Sequence, residues 1–214
     1  STKYQPDANN QMEYEVFAQM SKTEQDQRFF SSINSSIDQL EEATPFNLSQ
    51  NLNYYYTLDE NNIFALEAQH VIKDEDPFYN AVLEDKFNYD STAANLGLDD
   101  TQSNYNLAQE KRVKSNQLDA KLDYWRILNK KSNLNFTLGT ILSHQKFDSN
   151  IFQFLDDGSR LDTNLSSDNA SDVNAIDYKF SDLYLGLHYR LKTGIFTITP
   201  GVSAHAYNVT NTQF

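Results

Sequence analysis

Residues 46–58 hold a parity that leaves little choice of structure. Phe46, Leu48, Leu52, Tyr54, Tyr56 and Leu58 fall on even positions, and Asn47, Ser49, Asn51, Asn53 and Thr57 on odd ones. Gln50 and Tyr55 alone depart from it. A helix does not keep such parity, because its side chains return to one side only at every third or fourth residue. A strand with one apolar and one polar face keeps it throughout.

The pattern recurs along the chain. Phe64, Leu66, Ala68 and Ile72 alternate with Glu67, Gln69 and Lys73, behind the polar turn Asp59-Glu60-Asn61-Asn62. Leu118, Ala120, Leu122, Tyr124 and Leu128 alternate with Gln117, Asp119, Lys121 and Asp123. After a turn at 129–133 come Leu134, Phe136, Leu138 and Leu142. Leu183, Leu185, Leu187, Tyr189 and Leu191 turn at Lys192-Thr193-Gly194 and return as Phe196, Ile198, Pro200, Val202, Ala204 and Ala206. The parity slip between Phe180 and Leu183 predicts a bulge near Ser181-Asp182. An earlier strand carries Met12, Tyr14, Val16, Ala18 and Met20. Ahead of it a turn at 6–10 leaves residues 1–5 as a strand stub. The expectation is therefore all-β, with about seven strands and a stub joined as hairpins.

The connections sort by length. Turns at 59–62, 129–133 and 192–194 are short, whereas 22–44, 74–103 and 149–175 are long and rich in Asn, Ser and Asp, as in Thr163-Asn164-Leu165-Ser166-Ser167-Asp168-Asn169. Strict short–long alternation is the habit of transmembrane β-barrels, which keep short periplasmic turns on one rim and long extracellular loops on the other. The arms 104–128 and 132–148 exceed the roughly nine to eleven residues that cross a bilayer and should rise above it. Tyr54, Tyr56, Tyr124, Trp125, Tyr189 and Phe196 cluster near the short turns as an interfacial girdle would. His70 lies high on its strand, and Arg126 sits close enough to a turn to reach headgroups.

Composition agrees with this and excludes other classes. Mean hydropathy is −0.66, but barrels alternate wet and dry residues, so a low average is no argument against one. The net charge of −13 disfavours nucleic acid. With no cysteine, thiol chemistry and disulfides are excluded. No catalytic constellation stands out, which predicts a non-enzyme. His70, His144, His188 and His205 lie on strands without ligand spacing. Asp74-Glu75-Asp76, Asp99-Asp100 and Asp156-Asp157-Gly158 are loop acids that a Ca²⁺ ion would suit, although none has the spaced calcium-loop pattern. Loop aromatics Phe78, Tyr79, Phe87, Tyr89, Phe152 and Phe154 are the candidate ligand-binding residues, because exposed aromatics mark binding surfaces.

The chain opens on Ser rather than Met, and its final strand runs outward by up–down counting. Both read as a segment of a longer barrel. The run Thr44-Pro45-Phe46-Asn47-Leu48-Ser49-Gln50-Asn51-Leu52-Asn53-Tyr54, with its Leu58-Asp59-Glu60-Asn61-Asn62 turn, resembles the barrel region of TonB-dependent outer-membrane receptors of Bacteroidota. So does Gly194-Ile195-Phe196-Thr197-Ile198-Thr199-Pro200-Gly201-Val202. The resemblance implies a barrel of about 22 strands with a plug in its lumen. It implies an outer-membrane location and contact with lipid and lipopolysaccharide. It also implies import of a metal chelate, peptide or glycan with energy relayed by TonB through the plug, and in some relatives a surface lipoprotein partner. Two other readings fit the pattern: a structural or secretion-related barrel subunit of an outer-membrane complex, and a soluble β-sandwich glycan-binding module.

Overall fold

A computed structural model describes residues 1–30, 36–165 and 174–213. Over these residues the chain is all-β, a single antiparallel sheet that does not close on itself. In order, its strands are β1 (Thr2–Asp7), β2 (Asn10–Met20), β3 (Thr23–Phe30), β4 (Ser36–Ala43), β5 (Phe46–Asp59), β6 (Asn62–Glu75) and β7 (Phe78–Leu83). A single 3₁₀ turn (Lys86–Asn88) and the short helix α1 (Asp90–Leu96) follow. Then come β8 (Tyr105–Asn129), β9 (Ser132–Phe154), β10 (Arg160–Asp162), β11 (Asn174–Thr193), β12 (Phe196–Ile198) and β13 (Gly201–Gln213).

Several of these thirteen strands continue one another. β2 pairs with β5 while β3 pairs with β4, so β2–β3 and β4–β5 are two long passes interrupted at 21–22 and at Thr44-Pro45. β6 and β7 share β8 as a neighbour and are separated at Asp76-Pro77. β12 and β13 both pair with β11 and are separated at Thr199-Pro200. Proline has no N–H to give a ladder, so three of the breaks fall where it stands.

The short turns are built alike. Asp7 accepts from the backbone N–H groups of Asn9 and Asn10, and Asp59 from that of Asn61; the side chains of Asn10 and Asn62 donate back to those carboxylates. Asn129 accepts from Lys131 N–H at 2.9 Å. These Asx turns reverse the chain in two residues. The fourth turn uses Gly194 at φ +57° instead.

Three expectations need correction. β11 pairs with β9 and with β13 in unbroken register through Ser181 and Asp182, so no bulge stands there. Phe180 simply lies on the polar side, beside Ser143 and Val209. Residues 22–44 and 74–103, expected as polar loops, carry β3, β4, β7 and α1. The long connection 149–175 begins as a continuation of β9 and returns through β10; residues 166–169 of its polar stretch lie outside the described residues.

Candidate functional site

Cross-strand partners share a side of the sheet, so the register reads out both faces. One row of the first face runs Met12, Tyr54, Leu66, Leu122, Leu138, Leu185, Ala204. The next runs Tyr14, Leu52, Ala68, Ala120, Thr140, Leu183, Ala206. Nothing among the described residues covers this face. Leu138 is 46 % exposed, Leu185 59 % and Val202 67 %, a contiguous apolar surface far beyond what scattered surface leucines produce. The buried apolar residues of the described chain are six, and Leu83, Ala93 and Tyr105 among them form one cluster at the end of the sheet away from the short turns.

The apolar band crosses the sheet on a diagonal. Asn10 opens β2 opposite Tyr56, which faces Phe64, two residues inside the start of β6 at Asn62. Asn62 faces Arg126, which faces Leu134, two residues inside the start of β9. Ser132 faces Leu191, which faces Ile198, two residues inside the start of β12. Each hairpin is therefore displaced by two residues from the next. The far border climbs the same way: the first charge above the band is Lys179 on β11, Lys146 on β9, Lys114 on β8, Asp74 on β6 and Glu42 on β4. Lys146, Lys114, Asp74 and Phe46 occupy one row, with Lys179 one row lower and Glu42 two rows higher.

Beside the short turns the apolar face carries an aromatic ladder. Tyr56, Phe64, Tyr124 and Phe136 follow one another with centroid separations of 6.3, 4.7 and 6.1 Å. Tyr54 donates to Asn10 at 2.5 Å and Tyr124 to Asn62 at 2.6 Å, so both hydroxyls point at the turn rim. Arg126 donates to Asn62 as well, at 2.8 Å. Trp125, expected in this girdle, pairs with Ile63 and Asn135 and faces the other way. Higher on the face, His70 contacts Gln50 at 3.4 Å and Asn116 at 2.9 Å, which satisfies its ring nitrogens within the sheet.

The opposite face is polar. Glu13, Asn53, Glu67, Lys121, Gly139, Tyr184 and His205 form one row, and Glu15, Asn51, Gln69, Asp119, Ile141 and Asp182 the next. Lys121 pairs with Glu67 at 3.0 Å. Asp123, buried, accepts from Asn135 and Thr137. His205 contacts Asp182 at 2.9 Å and stacks on Tyr184. A cavity of about 470 Å³ lies on this face among Glu15, Asn51, Glu67, Asp119, Lys121 and Tyr184. Carboxylates outnumber ammonium groups along it, and His188 and His205 both lie there, as their parity predicts.

The six loop aromatics do not converge. Phe152 is fully buried, edge-on to Phe154, with the Arg160 guanidinium over both rings at 4.3 and 5.6 Å. Tyr79 lies under the Lys111 ammonium at 4.9 Å. Tyr89 packs against the Leu83–Ala93–Tyr105 cluster. Phe78 borders a polar groove of about 800 Å³ with Arg112, Asp148 and Arg160. Phe87 stands alone at 89 % exposure. Five of the loop acids, Asp74, Asp76, Asp99, Asp156 and Asp157, have side-chain partners. Hydrogen bonds from the hydroxyl and backbone of Thr101 hold Asp99 below the usual carboxylate range, and those from Ser159 do the same for Asp157. Asp156 accepts from Ser103, Asp76 from Thr44 and Asp74 from Arg112. Among the described residues no three metal-ligating side chains gather.

No protein-family profile matches this chain, and no curated protein matches its sequence.

Proposed function

We propose that this sheet is part of the wall of a transmembrane β-barrel in a bacterial outer membrane. Its apolar face meets lipid and its polar face meets the lumen. The observation that carries the reading is the diagonal of the apolar band. Two residues per hairpin is one residue per strand. With a rise of about 3.3 Å per residue and a spacing of about 4.8 Å between strands, that step corresponds to a tilt of about 35°. Membrane barrels tilt their strands by roughly 35–45°, and a band level with the membrane must then run diagonally through the register.

The dimensions agree. The uncharged run of β9 from Leu134 to Leu142 is about 27 Å long and about 22 Å high at that tilt, close to the apolar belt of about 25 Å that such barrels carry. The tyrosine hydroxyls aimed at the turn rim suit the interface between tails and headgroups. The outer strands β1 and β13 leave unpaired backbone groups on their free sides. Lipid does not tolerate such groups, so in this reading further strands cover both edges. A soluble sandwich would instead need a second sheet over the apolar face and strands of about five or six residues; β8 and β9 have 25 and 23.

Within this reading the barrel is a transporter, importing a scarce nutrient of the chelate, peptide or glycan kind with TonB-relayed energy. The resemblance of residues 44–54, 58–62 and 194–202 supports that part. The test is the native polypeptide in outer-membrane fractions. A band several times the 24.6 kDa of this chain that migrates faster unboiled supports a large barrel. A soluble band near that mass refutes it.

A further inference from the structure

The segment between β7 and β8 sits on an unexpected side. β8 keeps one register with β9 from Asn106 opposite Phe154 to Ile127 opposite Asn133. Tyr105 and Leu107 therefore share a side with Lys121 and Asp123, the polar face. Leu83 pairs with Tyr105, and Ile37 with Leu83, so both lie on that side too. Ala93 of α1 packs against Leu83 and Tyr105, with Ile37, Leu98 and Leu107 around them. The polar face thus turns apolar above the level of the band, and α1 covers it.

The segment is pinned along its whole length. Tyr105 donates to Asp90 in the first turn of α1 at 3.1 Å. The Lys86 ammonium donates to the carbonyls of Asp100 and Gln102 and lies over the Tyr105 ring. Gly97, at φ +72°, ends the helix, and the N–H of Leu98 returns to Ala93 O. Gln153, fully buried on the same side, exchanges two hydrogen bonds with the backbone of Asp99 at 2.8 and 3.0 Å. Ser103 and Gln102 hold Asp156, and Asn164 N–H donates to Leu96 O. A solvated outer loop needs none of these ties.

We infer that residues 84–104 form a fixed shoulder folded inward at the outer mouth of the barrel, past which an entering solute must travel. The inference rests on the barrel reading, which makes the polar face the inside. Phe87, Thr92 and Asn95 are exposed on the shoulder and are the side chains that a passing solute meets.

Because the chain has no cysteine, single cysteines report position directly. Thr92→Cys and Asn95→Cys sit on the shoulder, Ser159→Cys on the tip beyond β9, and Leu185→Cys on the apolar face. All four are made in the full-length protein in its own membrane. Each is treated with a small sulfonated maleimide and with the same group on a polymer too wide for the lumen. The expected result is that T92C and N95C react with the small reagent and lose most of their reaction with the polymer, while S159C reacts with both. Equal polymer labelling of T92C and S159C places the segment outside and overturns the shoulder. L185C tests the barrel itself: it stays unlabelled if the face meets lipid, and ready labelling by the small reagent overturns the barrel reading and the shoulder with it.

Discussion

The ring of Tyr184 lies over Gly139 on the polar face, occupying the space where a β-carbon would stand. His188 covers Gly201 in the same way one hairpin on. Glycine ordinarily weakens a strand, by about 0.5–1 kcal/mol relative to alanine. Here it admits a ring that Tyr184 also stacks on His205, at 5.3 Å between centroids.

A sign reversal follows. Gly139→Ala should destabilise the folded protein by about 1–3 kcal/mol, because the ring must leave its seat. In a Tyr184→Ala background the same change should stabilise by about 0.5 kcal/mol, since only the backbone preference remains. Urea titrations of the four proteins in lipid vesicles, followed by the unboiled mobility shift, measure both. A Gly139→Ala effect independent of Tyr184 counts against the contact.

Parity predicts an asymmetry between neighbours. Leu185→Arg places a charge near the middle of the apolar band and should cost about 2–4 kcal/mol in the membrane. Gly186→Arg, on the opposite face and near only Thr137 across the strands and His188 along its own, should change stability far less. Equal costs would mean that the two faces see the same medium.

Arg160 locks the Phe152–Phe154 pair and bonds Glu110 at 2.9 Å. Arg160→Ala should destabilise the β9–β10 hairpin locally by about 1 kcal/mol and leave the band untouched. Hydrogen exchange should quicken across residues 150–162 while the amides of Leu134 to Leu142 keep their protection. Phe87→Ala, which removes no packing, should alter neither.

Acid should loosen residues 84–104. Asp99 titrates below its ordinary range because Thr101 and Gln102 donate to its ionised form. Glu84 does so chiefly because of Ser36, with Arg28 helping. A group whose folded pKa is depressed contributes stability above its unfolded value and loses it as pH falls through the folded one. Exchange protection in residues 84–104 should therefore be constant near neutrality and fall below the ordinary carboxylate range. Loss of protection on raising the pH instead would contradict this.

How much could be read in advance depended on the surroundings of each element. β5, β6, β8, β9 and β11 each carry one apolar and one polar face, and their parity displays it. β3 and β4, Thr-Glu-Gln-Asp-Gln-Arg-Phe-Phe and Ser-Ile-Asp-Gln-Leu-Glu-Glu-Ala, carry polar groups at both parities because neither side lies against the band. They form by extending ladders already laid down past 21–22 and Pro45. α1, with seven residues, is too short to show a period. Trp125 lies near a turn with the other aromatics, but its parity is opposite to that of Tyr124 and sets it on the other face. The scattering of the six loop aromatics depends on register between distant strands, which no local pattern encodes.

If the diagonal band lies level in a bilayer, depth follows the band and not the register rows. Nitroxide labels at successive positions of β9, and at Val16 and Val202, can be read in bilayers for collision with oxygen and with a water-soluble nickel complex. A period of two is expected along residues 134–142, with oxygen favoured at even positions. Val16 and Val202 should lie at equal depth, although Val16 is three rows higher in the register. A flat profile, or depths that follow the register rows instead of the diagonal, would contradict it.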